Sequence, residues 1–279
     1  MSLVQRLHAV AAEEGSTRPA ALLRVGLALV VWSRFAFDFA AFHRDHPWTW
    51  SALGASVLVA STLMLVGWRS RLTTLWTGLS IAAIVLYLGV GQRQYDLLHH
   101  HVSLLMIAIL LLALTPCGGS LSLDRWRAVQ RARAAGRPPP PERGPQWGVR
   151  LIALQMSAVY LWGAIDKTTV AWLGGDRMQA ILMAQYTGSD WPTLPGFAAL
   201  CTAGAVATVV LEYFLAVALW RARWLPWLIP TVVVFHGVLY FFLPVATFSA
   251  TMYVLLAAFL PADATHRGIG ALLGHGDAG

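Results

Sequence analysis

Gln155-Met156-Ser157-Ala158-Val159-Tyr160-Leu161-Trp162-Gly163-Ala164-Ile165-Asp166-Lys167 is an apolar run closed by an adjacent acid and base, with Trp172 and Gly174-Gly175 close behind. It forms most of a candidate membrane span at 147–166, and similar runs recur along the chain. A spanning helix needs about 20 mostly apolar residues. Further candidates lie near 20–42, 50–68, 71–91, 98–115, 194–219, 224–242 and 245–260, so about eight spans are expected. The runs do not alternate as barrel strands would, and backbone satisfaction in lipid then requires helices. The expectation is an all-α integral membrane protein, a polytopic helical bundle. With 57% hydrophobic and 12% charged residues, a soluble domain is excluded.

Charge orients the bundle. The net charge of +7 does not mark a nucleic-acid binder, because the arginines gather at helix ends. Arg69 and Arg71 lie in one loop, Arg221 and Arg223 in another, and a third holds Arg125, Arg127, Arg131, Arg133, Arg137 and Arg143. All three fall on one side if the spans alternate, and the positive-inside rule makes that side cytoplasmic. Both termini are then cytoplasmic, as expected for a bacterial inner-membrane protein. The chain reads as a single membrane domain over 1–279. Residues 1–19 form an N-terminal amphipathic segment, and 118–146 a basic cytoplasmic loop. Within the loop, Leu121 to Ala135 reads as a basic amphipathic helix on the membrane surface and Pro138 to Pro141 as a stiff linker. Membrane lipids are thus expected partners. Cys117 and Cys201 show neither metal-ligand nor redox spacing.

Lys167 is the only lysine; every other cationic side chain that stays charged is arginine. A desolvated lysine can lose its proton and act as a base, which arginine cannot. The plainer reading is an amine snorkelling at a helix end. On a helix, Tyr160, Ala164 and Lys167 share a face, while Asp166 points about 100° away. Predicted topology gathers ionisable groups toward the outer side: Lys167, Asp38 and His43 at outer ends of spans, His99-His100-His101 at the start of another, His236 with Tyr240 one turn later. Intramembrane ionisable groups usually face a cavity or a partner. Consecutive histidines point in three directions, and the Asp96/His100 pair lacks a completing ligand, so no metal site is expected. Glu212, placed nearer the inner leaflet, is either a proton carrier or a structural partner of Arg24; the pair with Arg24 is expected. Trp162 and Trp172 complete the candidate substrate-binding set, although tryptophan is expected in membrane belts in any case.

Four blocks resemble the membrane part of vitamin K-dependent γ-carboxylase and the bacterial proteins grouped with it under the horizontally transferred transmembrane (HTTM) domain. They are Leu23-Arg24; His100-His101 leading to Leu121-Ser122-Leu123-Asp124; Gln155 through Tyr160 to Lys167 and Trp172; and Phe235-His236 with Phe248-Ser249. The resemblance covers essentially the whole chain. It implies that Lys167 is the base that deprotonates a hydroquinone, that His101 is a functional histidine of that site, and that His236 lies in the cavity region. Glu212 matches an acidic position. His100 stands where the family has asparagine, and Asp166 where it has a second lysine. The carboxylase also carries a large lumenal region that docks a glutamate-rich protein. This sequence is expected to lack it, and peptide carboxylation with it.

The expected function is acid/base chemistry on a bilayer-dissolved isoprenoid, foremost cyclisation of a prenyl or epoxy-prenyl chain by protonation, with no cofactor. Asp38, Asp166 and Glu212 are the candidate acids, and aromatic side chains would stabilise cations. Lys167, Asp166, His101 and His236 are the catalytic candidates. A second reading is quinol-dependent oxygenation or carboxylation with Lys167 as base, using a reduced quinone with O2 and CO2. A third is a non-enzymatic membrane factor for maturation of, or immunity to, a secreted peptide.

Overall fold

Helix follows from the apolar composition almost throughout. The structure is a computed structural model that describes residues 12–42, 48–91, 93, 100–243 and 245–272. The chain forms two compact units, 1–153 with 247–279, and 154–246.

The first unit opens with a three-residue strand, β1 (Glu14–Ser16), followed by α1 (Arg18–Phe42), α2 (Thr49–Val66) and α3 (Ser70–Ile84). The last runs on as a π-helix over Val85–Gly91. Next come α4 (His100–Leu112), α5 (Leu123–Ala134) and β2 (Arg143–Pro145), then α6 (Trp147–Lys167), within which the unit boundary falls. Helix α11 (Ala246–Leu255), its 3-10 extension to Phe259 and α12 (Ala262–Leu272) complete the unit.

α1 is the hub. Ala20, Leu23, Leu27, Val31 and Phe35 are buried along it at helical spacing, and it packs on α2, α4, the 3-10 extension and α12. Small residues let membrane helices approach closely. A Cβ at Gly26 would stand 2.7 Å from Val254, and one at Gly78 2.6 Å from Leu110. Arg24, fully buried on α1, donates to the carbonyls of Cys117, at 2.7 Å, and Leu121. It thereby satisfies a loop backbone that has no helix of its own. Gly67 ends α2 at φ 71°, where a side chain would also strike Ser122 at 2.4 Å. Asp124 holds the start of α3, accepting from the Arg69 and Ser70 amides at 2.8 and 2.7 Å and from Ser70 Oγ at 2.8 Å. An anion there meets the positive end of the helix dipole.

The strands were not anticipated. Gly15 pairs with Gly144, and β1 and β2 run antiparallel, so part of the expected amphipathic segment is extended chain; residues 1–11 lie outside the described residues. α5 spans the expected amphipathic helix, with Ser122 accepting from the Arg125 amide as its N-cap, and residues 137–141 follow without regular structure.

The second unit holds the rest of α6, the short α7 (Val170–Leu173), α8 (Asp176–Gln185), α9 (Phe197–Ala218) and α10 (Leu225–Phe242). Five helices are long and apolar enough to cross a membrane: Arg18–Ala36, Ser70–Gly91, Trp147–Lys167, Phe197–Ala218 and Ala222–Phe242. A sixth is reached if Ala246–Phe259 and Ala262–Leu272, bent by 104°, count as one. Among the described residues, Ser51–Val66 and His101–Leu112 are apolar but shorter.

Candidate functional site

The polar groups of the second unit are paired in two steps along one face of α6. Nearer its middle, Tyr160 Oη and His236 Nε2 of α10 lie 2.9 Å apart, both side chains buried. Two turns on, Lys167 Nζ donates to both carboxylate oxygens of Glu212 on α9, at 3.0 and 2.9 Å, and to the carbonyl of Gly163 at 3.2 Å. The Glu212 side chain is 10% exposed and that of Lys167 23%. The Trp172 ring covers the ammonium at 5.6 Å, a cation–π contact, and its indole N–H reaches the Ala205 carbonyl at 3.4 Å. Helical spacing dictates the arrangement: residues 160, 163 and 167 stack, and glycine at 163 leaves room for the ion pair. A Cβ there would lie 3.1 Å from Nζ and 3.4 Å from both carboxylate oxygens.

This pairing corrects two expectations. Glu212 does not serve Arg24: Arg24 binds loop carbonyls within the first unit, and Glu212 binds Lys167 within the second. Nor does Lys167 sit at the outer end of its neighbours. Glu212 lies 15 residues beyond Phe197, the start of α9, a rise of about 22 Å. α6 therefore ends while α9 still has most of its length to run, and α7, α8 and the turn at Trp191–Thr193 fill the difference. Gly175 seats against this packing. At φ 89° it approaches so closely that a Cβ would be 2.6 Å from the Thr202 amide nitrogen.

The other sequence candidates fall elsewhere. Asp166 is exposed on the far side of α6, as its 100° offset from Lys167 requires. Trp162 and Tyr240 are 72% and 49% exposed, so neither lines the ion pair. Tyr240 follows His236 by one turn, yet only the histidine faces inward. His101 belongs to the first unit, its ring 5.4 Å from Phe248. His43, Asp96 and His99 lie outside the described residues, as do the side chains of Asp38 and His100. Among the described residues, no three His, Cys, Asp or Glu side chains are grouped as metal ligands would be. Gly163 was missed by sequence reasoning, although its place four residues before the sole lysine signals it.

Beside the pair runs an apolar groove of about 310 Å³, lined by Met178, Leu182, Trp191, Leu194, Phe197, Leu200 and Cys201. Cys201 lies one turn along α9 from Ala205, which Trp172 touches.

Several long apolar helices, and a cation–carboxylate pair held among them, define a multi-pass helical membrane protein with an intramembrane polar site. The family model of the HTTM domain matches residues 27–263, and the chain belongs to that family, as its resemblance to the carboxylase membrane core implied. Comparison with curated proteins and with solved structures found no match.

Proposed function

We propose that this protein is a membrane enzyme that deprotonates a hydroxyl group on a bilayer-dissolved isoprenoid amphiphile, most simply a prenylated hydroquinone. The observation that carries the reading is the two-oxygen contact between Glu212 and Lys167 in the apolar interior of a helical unit. A carboxylate in that position is a base already in its proton-accepting form. The ammonium beside it supplies the counter-charge for the anion left behind. In the step, the substrate O–H bond breaks, the proton moves to a Glu212 oxygen, and Lys167 transfers its ion pair to the new oxyanion. The pair as a whole keeps its charge. Tyr160 with His236 lies two turns along the same face, and the apolar groove near Trp172 offers space for a prenyl tail.

Cyclisation by protonation, the first expectation from sequence, asks for a neutral carboxyl group in an apolar pocket. Asp166 is exposed, and both oxygens of Glu212 are engaged by a cation, so the geometry favours the base. In this reading α2 and α4 add two spans to the six, giving eight crossings, and the arginine-rich loops face the cytoplasm of a bacterium.

The test is purified full-length protein in lipid nanodiscs, offered prenylated hydroquinones and prenyl or epoxy-prenyl chains, with products read by mass spectrometry. Conversion of the hydroquinone, lost in Glu212→Gln and Lys167→Met but kept in Asp166→Asn, is expected. Isomerised, cyclic product from an epoxy-prenyl chain, undiminished by Glu212→Gln, overturns the assignment.

A further inference from the structure

A second site lies in the first unit, at the turn between α2 and α3. Its walls are Arg69, Asp124, Trp126, Arg127, Gln130 and Arg131, around a space of about 520 Å³. α5 supplies five of the six, and Trp126, Arg127, Gln130 and Arg131 occupy one face because residues four apart stack. Arg127 and Arg131 are exposed, with Arg131 Nε bonded back to the Arg127 carbonyl at 3.3 Å. Arg69 enters from the turn, its guanidinium 5.2 Å from the Trp68 ring. The one acid does not neutralise them. Both oxygens of Asp124 are taken by the Arg69 and Ser70 amides and the Ser70 hydroxyl. Three cationic forks therefore face an opening with no acceptor left to satisfy them.

Position selects the ligand. Asp124 fixes the start of α5 to the first turn of α3, and the Asp124 amide donates to the Gly67 carbonyl at 3.0 Å, so the opening lies at the ends of two apolar helices. Trp126, 58% exposed at its rim, has the ring that belongs at headgroup depth. Arginine forks match phosphate oxygens in pairs.

We propose that this pocket binds the phosphate headgroup of an anionic phospholipid of the inner leaflet, with Arg69, Arg127 and Arg131 as its ligands and Trp126 against the glycerol region. The site is distinct from the Lys167–Glu212 pair and does not depend on its function.

The experiment is native mass spectrometry of the full chain in detergent, titrated with phosphatidylglycerol, with phosphatidylcholine, and with phosphatidylglycerol in the presence of inorganic phosphate. Expected are discrete adducts with the anionic lipid, weakened roughly a hundredfold in Arg69→Gln/Arg127→Gln/Arg131→Gln, since each arginine near the surface contributes about a fivefold factor. Arg133→Gln/Arg137→Gln, exposed arginines outside the pocket, should bind as the parent does. The double Arg127→Gln/Arg131→Gln, altered only at exposed positions, should keep the parent's unfolding midpoint and still lose most of the affinity. Equal adducts with phosphatidylcholine, equal weakening in the control variant, or full displacement by inorganic phosphate would each overturn the proposal.

Discussion

At Lys167 the chain has its one amine side chain, and the environment explains why an amine suits the place. A guanidinium is planar and forked, whereas a compact ammonium can fit the narrow space between Glu212, the Gly163 carbonyl and the Trp172 ring. Removing either partner of such a buried pair leaves the other charge uncompensated, which destabilises by about 3–5 kcal/mol. Lys167→Met and Glu212→Gln should each lower stability by that order in denaturant titrations, and Lys167→Met/Glu212→Leu by much less. Equal losses in single and double variants would show the two groups to be independent. Gly163→Leu should separate the pair and behave like Glu212→Gln in activity, whereas Gly163→Ala, with its Cβ 3.1 Å from Nζ, should do so only in part. The rarity of lysine made Lys167 legible in the sequence. Its partner was not. Assigning Glu212 a depth by counting from loops placed it near the inner leaflet, and loop counting cannot see that α6 stops short of its neighbours.

At the scale of elements, the outer segment 168–196 supplies what counting missed. α7 and α8 fold back so that Tyr186 donates to the Phe241 and Phe242 carbonyls at the end of α10, and its ring meets Trp191 at 4.5 Å. Nothing in the apolar periodicity marks such a turn, because its helices are only 4 and 10 residues long. The spanning helices were readable because 18 or more apolar residues leave few alternatives in lipid. The three-residue strands were not, since pairing between Gly15 and Gly144 depends on backbone alone. Helix ends carry their own prediction. Gly67→Ala adds a left-handed strain of about 1–2 kcal/mol to an overlap with Ser122 at 2.4 Å. It should lower the unfolding midpoint more than Gly136→Ala, which has φ 62° but open space around it.

Across the first unit, one carboxylate on the cytoplasmic side of the predicted topology ties distant parts of the chain together. Glu142 accepts from Arg18 at 2.8 Å and Ser120 at 3.0 Å and faces Arg125 at 3.4 Å, while Arg18 also reaches the His266 carbonyl. Burial alone would push the Glu142 carboxyl up, but the hydrogen bonds from Arg18 and Ser120 and the charges of Arg18 and Arg125 outweigh it and hold it below the usual range. A depressed folded value means that its stabilisation is complete above the unfolded carboxylate pKa, about 4.3, and fades as pH falls through the folded one. Unfolding midpoints of the parent should therefore drop as pH falls below about 4.3. Glu142→Gln should be less stable near neutrality by about 1–3 kcal/mol and lack that part of the acid dependence. An unchanged acid profile would remove Glu142 from the account.

The central claim is that Glu212 takes a proton from the substrate while Lys167 holds the resulting anion. Infrared difference spectroscopy of the nanodisc-embedded protein, recorded on adding a prenylated hydroquinone, reads this directly. The account predicts that one carboxylate band disappears and one protonated carboxyl band grows in the parent, and that neither change occurs in Glu212→Gln. No change in the parent, or the same change in the variant, would contradict it.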